Sequence, residues 1–305
     1  MFTSQKKKKK LKIHVGAHKT ATTHFQDTLE AMLPDLQNND IRYFPRDLFR
    51  EQIAKCSSNR ELSKFFLTYS KNKFISKTLH FSDYQEGTIL ISEENLLGPV
   101  LDSISIFPYQ GINPQFLKLL SGRYDLNIFL TIRSLEKVWP GSYVTGLRFS
   151  PARAIEERKK ILFDLESGKK ASWVPLIEKL VKSVPKAKVN ICFYENYQDD
   201  YQNVIKKFIG LDSIKVPEIE NPASTSTPSF YAVHEIEKLV PNFSVGSKDV
   251  WNEKISKIIV DNQPQNKSEK YSFINETWSS ILNDWYKDDC EFINNRYGDM
   301  VEWLS

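Results

Sequence analysis

A concentrated group of side chains able to hold an anion lies in the stretch IHVGAHKTATTHFQDTL, residues 13–29. There Lys19 is joined by the hydroxyls of Thr20, Thr22 and Thr23, between a short apolar run and an amphipathic pattern. A strand-to-helix turn presents free backbone N–H groups, and the helix N-terminus adds partial positive charge. These features predict a phosphate-like anion site. The alternative is that Thr22 or Thr23 only caps the helix while Lys19 is solvated.

The nucleotide-triphosphate loop G-x-x-x-x-G-K-[ST] is the obvious pattern for comparison. Its second glycine would stand directly before the lysine, where this chain has His18. Its first glycine would fall at Ile13. The stretch is therefore a poor match to the loop of a kinase or an ATPase.

The elements that must position this turn alternate along the chain. We predict strands at residues 11–15, 41–44, 88–92, 126–132 and 187–194. Helices are predicted at 22–33, within 48–86, at 114–120, 134–168, 171–184 and 204–208, and throughout the chain from 228 onward. Short buried strands separated by helices indicate a parallel sheet covered on both faces. The expected fold class is α/β, a three-layer sandwich with a helical C-terminal extension.

Polar side chains follow four of the predicted strands. They are His18 and Lys19 after the first, Ser92, Glu93 and Glu94 after 88–92, Arg133 and Ser134 after 126–132, and Glu195 and Asn196 after 187–194. In open parallel sheets, ligands bind beyond the carboxyl ends of the strands. We therefore expect these side chains to meet at one active-site edge.

Composition narrows the function classes. The 305 residues can form one large domain, or one domain with a helical appendage. Removing the five lysines of residues 6–10 from the net charge of +4 leaves −1. A body this close to neutral argues against nucleic acid as a partner and leaves room for a local anion site. The lysine run is interpreted as a solvated, disordered tail.

The cysteines and apolar runs bear on the compartment. Cys56, Cys192 and Cys290 lie far apart and have no metal-ligand spacing, which favours a reducing environment. The apolar stretch before His18 is too short for the core of a signal peptide. No run approaches the roughly 20 apolar residues of a membrane span. A cytoplasmic protein is expected.

The residues HKTATT, 18–23, after a strand ending in Gly16, resemble a loop in one known family. They are similar to the 5′-phosphosulfate-binding loop of sulfotransferases, which use 3′-phosphoadenosine 5′-phosphosulfate (PAPS). The family pattern is h-G-x-x-K-[ST]-G-[ST]-[ST], and this chain has Ala21 where glycine is usual. A methyl group there would be penalised if the loop needs a positive φ.

Three later segments follow the order of the same family, so the resemblance spans residues 11–212. FLTIRSLEKVWPGSY is similar to the 3′-phosphate-binding segment, with Arg133 at the family's arginine. The family's serine lies eight residues on, at Gly141, and Ser142 is the neighbouring candidate. TILISEENLLG resembles a strand ending in Ser-x-Glu, and VNICFYENYQDDYQNVIKKFIGLD resembles the late strand, acidic turn and helix.

The resemblance implies a P-loop NTPase-like fold and three regions. Residues 1–10 would be the basic tail, and residues 11–220 the PAPS-binding core. Residues 221–305 would form a helical region packed on the acceptor side of that core. Within it, NPASTSTPSF (221–230) is either a loop that closes over the cofactor or a plain linker.

The resemblance also implies a mechanism, an in-line sulfuryl transfer that yields adenosine 3′,5′-bisphosphate and needs no metal. Lys19 would hold the 5′-phosphate and stabilise charge on the leaving oxygen. Arg133 would pair with the 3′-phosphate through its planar guanidinium. The remaining expected cofactor residues are Gly16, Thr20, Ala21, Thr22, Thr23, Ser92 and Ser142.

An acceptor hydroxyl needs a base. Glu94, at the Ser-x-Glu position, is the preferred candidate, with Ser92 contacting the cofactor or orienting that carboxylate. Glu93 and His18 are alternatives, although Glu93 could instead be a first-turn helix carboxylate. His24 is another candidate base, or a histidine on the surface of the first helix.

The acceptor is the least determined part of the interpretation. Arg42, Arg46, Asp47 and Arg148 are candidate acceptor-binding residues, with solvated side chains as the alternative. A carbohydrate or glycolipid hydroxyl is expected from family analogy alone. Two other functions stay open at this point. One is a P-loop kinase using ATP and Mg²⁺, and the other is a non-catalytic nucleotide-binding protein of the same fold. The oligomeric state is not determined by the sequence.

Overall fold

The computed structural model describes residues 8–57, 87–219, 227–243, 248–297 and 301–304. Three sequence predictions lie partly outside the described residues. They are the basic tail at 1–7, the helical region at 58–86, and the 221–226 part of NPASTSTPSF.

Six parallel strands form the central sheet. They are β1 (Lys10–His14), β2 (Ile41–Phe44), β3 (Thr88–Ser92), β4 (Asp125–Ile132), β5 (Lys188–Phe193) and β6 (Val301–Leu304). Their order across the sheet is β2-β3-β1-β4-β5-β6. The five predicted strands are confirmed. The prediction of helices only after residue 228 is wrong for β6, which pairs in parallel with β5 from Val189↔Val301 to Cys192↔Leu304.

Twelve α-helices accompany the strands within the described ranges. They are α1 (Thr22–Ala31), α2 (Leu33–Asn38), α3 (Arg46–Ser57), α4 (Gln115–Arg123), α5 (Leu135–Phe149), α6 (Pro151–Glu166), α7 (Val174–Ser183), α8 (Tyr194–Asp199), α9 (Tyr201–Ile209), α10 (Phe230–Leu239), α11 (Lys248–Asp261) and α12 (Glu276–Tyr297). None of the helices in these ranges combines the length and apolarity needed to cross a membrane.

Two apolar cores lie on opposite faces of the sheet. Along β3, Ile89 and Ile91 belong to one cluster and Leu90 to the other. Along β4, Leu130 and Phe129 separate in the same way. Successive side chains of a strand point to opposite faces, so the sheet is covered on both sides. The predicted α/β three-layer class is therefore confirmed.

The described ends of the chain are tied to the core. β1 already begins at Lys10, and the Lys8 ammonium donates to the carbonyls of Ser121 (3.2 Å) and Gly122 (3.0 Å). The basic run therefore joins the fold at its end, earlier than the boundary predicted after residue 10. On the carboxyl side, the Trp251 indole donates to the Leu147 carbonyl (2.9 Å), which fixes α11 against α5.

The strand order changes direction at β1. The chain leaves β1 towards β2 at one edge, returns to β3, and then crosses β1 to reach β4 and β5 on the other side. In doubly wound sheets such a switch point opens a crevice beyond the carboxyl ends of the strands. The loop after β1, which carries Lys19, begins at this crevice.

Candidate active site

A cavity of about 390 Å³ lies at this edge of the sheet. Its walls come from the loops after β1, β3, β4 and β5 and from one face of α5. The lining residues are His18, Lys19, Ala21, Thr22, Thr23, His24, Glu94, Val100, Arg133, Lys137, Gly141, Thr145, Tyr194 and Thr227. The predicted meeting of strand-end side chains is observed for β1, β3 and β4, through His18 and Lys19, Glu94, and Arg133. After β5 the lining residue is Tyr194 in place of Glu195 and Asn196.

The chain leaves β1 through a tightly packed glycine. A Cβ on Gly16 would lie 2.6 Å from His14 Nε2 and 2.9 Å from Thr22 Cγ2. The His14 ring is itself fixed between the hydroxyls of Ser92 (2.8 Å) and Thr131 (3.1 Å). Gly16 therefore allows β1 and α1 to approach, and it is absent from the cavity lining, which differs from its predicted contact with a cofactor.

The loop backbone is held in an unusual conformation. Lys19 and Ala21 have φ of +69° and +58°, in the left-handed region that L side chains rarely adopt. Ala21 precedes α1, whose first turn receives no side-chain cap. The alternative that Thr22 or Thr23 merely caps the helix is therefore wrong. Both threonines line the cavity, whereas the Thr20 hydroxyl donates to the Ala17 carbonyl at 2.6 Å.

Lys19 is a half-buried cation that forms no ion pair with any described residue. The pKa of its ammonium is lowered to about 8, chiefly by desolvation and also by the charge of Arg148, while Glu94 acts in the opposite direction. The aliphatic part of the side chain crosses α5 at Gly141, where a Cβ would lie 3.1 Å from Lys19 Cγ and Cδ. The glycine at this position of α5 therefore makes room for the lysine.

Arg133 and Lys137 form a second cationic wall. The Arg133 guanidinium stacks over the Tyr194 ring at 3.9 Å from its centroid, and it donates to the Lys19 carbonyl at 3.2 Å. Lys137, one helical turn later, lines the cavity and pairs with Glu136 at 3.1 Å. Stacking on a tyrosine fixes the guanidinium plane without using its N–H groups, so those not bonded to Lys19 can donate to a ligand.

Ser142 does not occupy the place predicted for it. Its side chain is fully buried, and its hydroxyl is bonded to Ser103 Oγ at 2.8 Å. The turn of α5 instead brings Gly141 and Thr145 to the cavity. A residue directly after Gly141 points about 100° away around the helix, so the predicted substitution by the neighbouring serine is wrong.

Glu94 is the carboxylate among the described lining residues. It accepts hydrogen bonds from Gln26 Nε2 and Arg50 Nη2, both at 3.1 Å. Burial acts to raise the pKa of this carboxyl, but its electrostatic coupling to the His18 ring, the charge of Arg50 and the bond from Gln26 hold it below its ordinary value. The group is ionised and directed to the cavity, as a proton acceptor must be.

Glu93 and Ser92 serve the scaffold. Glu93 accepts from the Asn95 backbone N–H (2.9 Å) and from Arg50 Nε (2.6 Å), so it caps the short 3₁₀ turn Glu94–Leu96. Glu93 is therefore the N-cap of this turn and not the first-turn carboxylate of the alternative, and its bonds to Asn95 and Arg50 correct its candidacy as the base. Ser92 is fully buried against His14, so it does not reach the cavity. Its carbonyl accepts from Gln26 (3.2 Å), the residue that also holds Glu94.

Two histidines line the cavity, each bonded to a tyrosine. His18 Nδ1 lies 2.7 Å from the Tyr109 hydroxyl, and His24 Nδ1 lies 2.7 Å from the Tyr197 hydroxyl. The alternative of His24 as a surface residue is wrong, since the side chain is buried. Burial lowers the pKa of both rings, and that of His18 falls to about 4.

The predicted acceptor residues divide into two groups. Arg42 stacks on Phe44 (4.6 Å), and Arg46 donates to Gln26 and pairs with the exposed Asp47 at 3.4 Å. These three lie outside the cavity lining, and so does the fourth candidate, Arg148. Arg148 lies on α5 after Thr145, donates to Ser256 Oγ (3.0 Å), and is close enough to Lys19 to lower its pKa.

Sequence reasoning missed several lining residues. Tyr194 follows β5 directly, and Lys137 is four residues after Arg133, so strand-end position and helical spacing could have indicated both. Tyr109, the partner of His18, lies in a segment without periodic pattern and carried no comparable signal.

Comparisons of the chain with models of known protein families, with curated proteins and with solved structures found no match. Positive charge predominates in the lining, which contains the three cations Lys19, Arg133 and Lys137 and the carboxylate Glu94. Such a lining favours a ligand that carries several negative charges and places one of its other groups near the Glu94 carboxylate. In the described part of the chain, no cluster of three or more His, Cys, Asp and Glu side chains is arranged to hold a metal ion.

Proposed function

We propose that the protein is a sulfotransferase that moves the sulfuryl group of PAPS to an acceptor hydroxyl. The observation that carries this proposal is the pair of cationic walls in one cavity. Lys19 and the uncapped start of α1 form the first wall, and Arg133 with Lys137 forms the second. A nucleotide with phosphates at both its 5′ and 3′ positions would supply one anionic group for each of these two groups of cations.

The 5′-phosphosulfate is assigned to the Lys19 wall. The left-handed backbone at Lys19 and Ala21 turns the chain so that α1 begins beside the ammonium. The free N–H groups of that first turn and the hydroxyls of Thr22 and Thr23 donate to phosphate oxygens. Lys19 stabilises the charge that develops on the bridging oxygen as the sulfur–oxygen bond breaks.

The 3′-phosphate is assigned to Arg133 and Lys137. Arg133 is oriented by Tyr194 and by the Lys19 carbonyl, so its planar fork is set before the ligand binds. Lys137 takes the role that the family resemblance gave to a serine, because Ser142 is bonded to Ser103 inside the core. Under this assignment, Arg133 and Lys137 together distinguish a ligand with a 3′-phosphate from one with a 3′-hydroxyl.

The acceptor reacts on the Glu94 side of the cavity. A bond forms between the acceptor oxygen and sulfur, the bond from sulfur to the 5′-phosphate oxygen breaks, and the hydroxyl proton passes to the Glu94 carboxylate. Gln26 and Arg50 hold that carboxylate in place. Thr145 and Arg148 extend the polar wall on α5, and a carbohydrate or glycolipid hydroxyl remains the preferred acceptor class.

Calorimetric titration of adenosine 3′,5′-bisphosphate in EDTA, compared with ATP plus Mg²⁺, tests the proposal. We expect micromolar binding of the bisphosphate, a loss of at least 100-fold in Lys19→Ala, and no change in the exposed control Lys182→Ala. Arg133→Ala should reduce the preference for the bisphosphate over adenosine 5′-monophosphate by about 10-fold or more. Tight ATP·Mg²⁺ binding without bisphosphate binding would replace the sulfotransferase proposal by a kinase.

A further inference from the structure

His18 has an arrangement of hydrogen bonds that fixes the position of its proton. The Tyr109 hydroxyl lies 3.0 Å from the His18 backbone nitrogen and 2.7 Å from the His18 ring atom Nδ1. Tyr109 is fully buried, and its backbone has φ of +56°, a conformation that nonglycine residues hold only when their surroundings impose it. One hydroxyl thus contacts the same residue twice.

The direction of each bond follows from the groups involved. A backbone N–H only donates, so the Tyr109 oxygen accepts from His18 N. The buried hydroxyl proton then needs an acceptor of its own. Among the described residues, this hydroxyl makes its two hydrogen bonds with His18, while Ser103 Oγ donates to the Val100 carbonyl at 2.7 Å. The remaining acceptor is His18 Nδ1, which must be unprotonated and leave the ring proton on Nε2.

The surroundings of the ring keep it neutral. Burial is the largest influence on the pKa of the ring, which lies at about 4, and the charges of Lys19 and Arg50 lower it while the charge of Glu94 and the side chain of Asn95 raise it. These groups and Tyr109 are the polar neighbours of the ring.

We propose that Tyr109 holds His18 as the Nε2–H tautomer, so that His18 acts in the cavity as a neutral hydrogen-bond donor to the bound anion and not as the base. The chemical role rests on the proposed function, whereas the tautomer does not. A neutral donor stabilises charge on a sulfuryl oxygen without placing a second cation beside Lys19. The acceptor proton is then left to Glu94, the carboxylate of the described lining.

The tautomer can be read directly by two-bond ¹H–¹⁵N spectra of protein labelled with ¹⁵N-histidine. The chain has five histidines, and the spectrum of His18→Gln identifies the signals that belong to His18. We expect a neutral Nε2–H ring from pH 8 down to pH 5. A Nδ1–H ring, or a protonated ring at pH 7, overturns the inference whether or not the bisphosphate binds.

Activity variants then separate a donor from a base. Glutamine places an N–H near the position of Nε2 but accepts no proton, so His18→Gln should keep kcat within about 10-fold of wild type, while His18→Ala should lose about 100-fold. Equal losses in both variants would overturn the donor role. Glu94→Gln should remove the acidic limb of the kcat profile, and a surviving limb would assign the base elsewhere.

Tyr109→Phe tests the source of the constraint. The phenyl ring keeps the packing but removes the proton directed at Nδ1, so Nδ1–H should become populated and His18 should lose its fixed tautomer. An unchanged tautomer in a variant that still binds the bisphosphate would show that Tyr109 does not set it. If this variant does not fold, the wild-type spectrum alone decides the tautomer. Failure of wild type to bind the bisphosphate would instead overturn the proposed function.

Discussion

Two groups of half-buried and buried charge in this molecule are built in opposite ways. The first, which we term the paired cluster, consists of Arg158, Glu237, Tyr143 and Tyr271 and joins α5, α6 and α10. Arg158 donates to Glu237 (2.5 Å) and to the Tyr271 hydroxyl (2.9 Å), and Tyr143 donates to Glu237 (2.6 Å). Each charge in this cluster has a partner of opposite sign.

The cavity cations Lys19 and Arg133 lack such partners. Neither forms an ion pair with a described residue. Arg133 donates one N–H to the Lys19 carbonyl, and its guanidinium plane stacks on the Tyr194 ring. A desolvated cation without a counterion destabilises the folded chain, as the lowered pKa of Lys19 reflects. The difference between the two groups fits the proposed function, in which the paired cluster stabilises the fold and the cavity cations receive an anion.

The largest effect should come from Lys19→Met, which keeps the stem length and removes the charge. Bisphosphate affinity should fall by at least 100-fold, because the variant has no cation at the 5′-phosphate. The free protein should become more stable by about 1–3 kcal/mol, because the desolvated ammonium is gone. Urea unfolding with and without the bisphosphate measures both quantities.

A loss of stability in Lys19→Met would contradict the distinction between the paired cluster and the cavity cations, because Lys19 would then stabilise the fold as Arg158 does. The gain also has a pH signature. The ordinary lysine pKa of 10.5 applies to the unfolded chain and about 8 to the folded one. Between these values the unfolded state binds more protons, so wild-type stability rises with pH and the advantage of the variant disappears towards pH 10.5.

Arg158→Met should behave in the reverse sense. Removing the guanidinium leaves Glu237 half-buried with only the Tyr143 bond, and we expect a loss of about 2 kcal/mol in unfolding free energy. Bisphosphate affinity of the folded fraction should stay within about 2-fold of wild type, because the cluster is absent from the cavity lining. A large change in bisphosphate affinity at unchanged stability would show that the paired cluster contributes to ligand binding, as the cavity cations do.

The fold was largely predictable because its signals are local. Short apolar segments and helical spacing determined five of the six strands and the layered class. β6 was missed because Val301–Leu304 carries no strand signal of its own. Its conformation comes from pairing with the edge of β5, a contact that links residues more than a hundred positions apart.

The site was predictable where function depends on position after a strand, as for Lys19, Glu94 and Arg133. It was not predictable where helix rotation or hydrogen bonding decides. Ser142 is turned into the core by one residue of helical rotation. Tyr109 reaches His18 from a segment that sequence patterns do not connect to the loop.

Ligand binding should report the Lys19 pKa directly. Below pH 8 the ammonium is charged, and bisphosphate affinity should be nearly constant between pH 7 and 8. Above pH 8 binding must be accompanied by proton uptake, so affinity should fall by up to about 10-fold per pH unit. Calorimetry at pH 9 in buffers of different ionisation enthalpy measures the uptake, and its absence would mean that the free lysine is already protonated there.

The smallest effect concerns the loop backbone. Ala21 holds φ of +58°, a conformation that costs an L residue about 1 kcal/mol and glycine nothing. Ala21→Gly relieves that strain but adds freedom to the unfolded chain, so a net gain of about 0.5 kcal/mol is expected. The matched control is Gly168→Ala, at φ +77° with no atom within 4 Å of the added methyl, which should lose about 1 kcal/mol. If Ala21→Gly lowers stability by as much as Gly168→Ala does, the alanine methyl contributes packing that outweighs its strain. Because Lys19 and Arg133 form no ion pair with a described residue, a small change in the rigidity of this loop should also appear as a change in bisphosphate affinity of no more than about 3-fold.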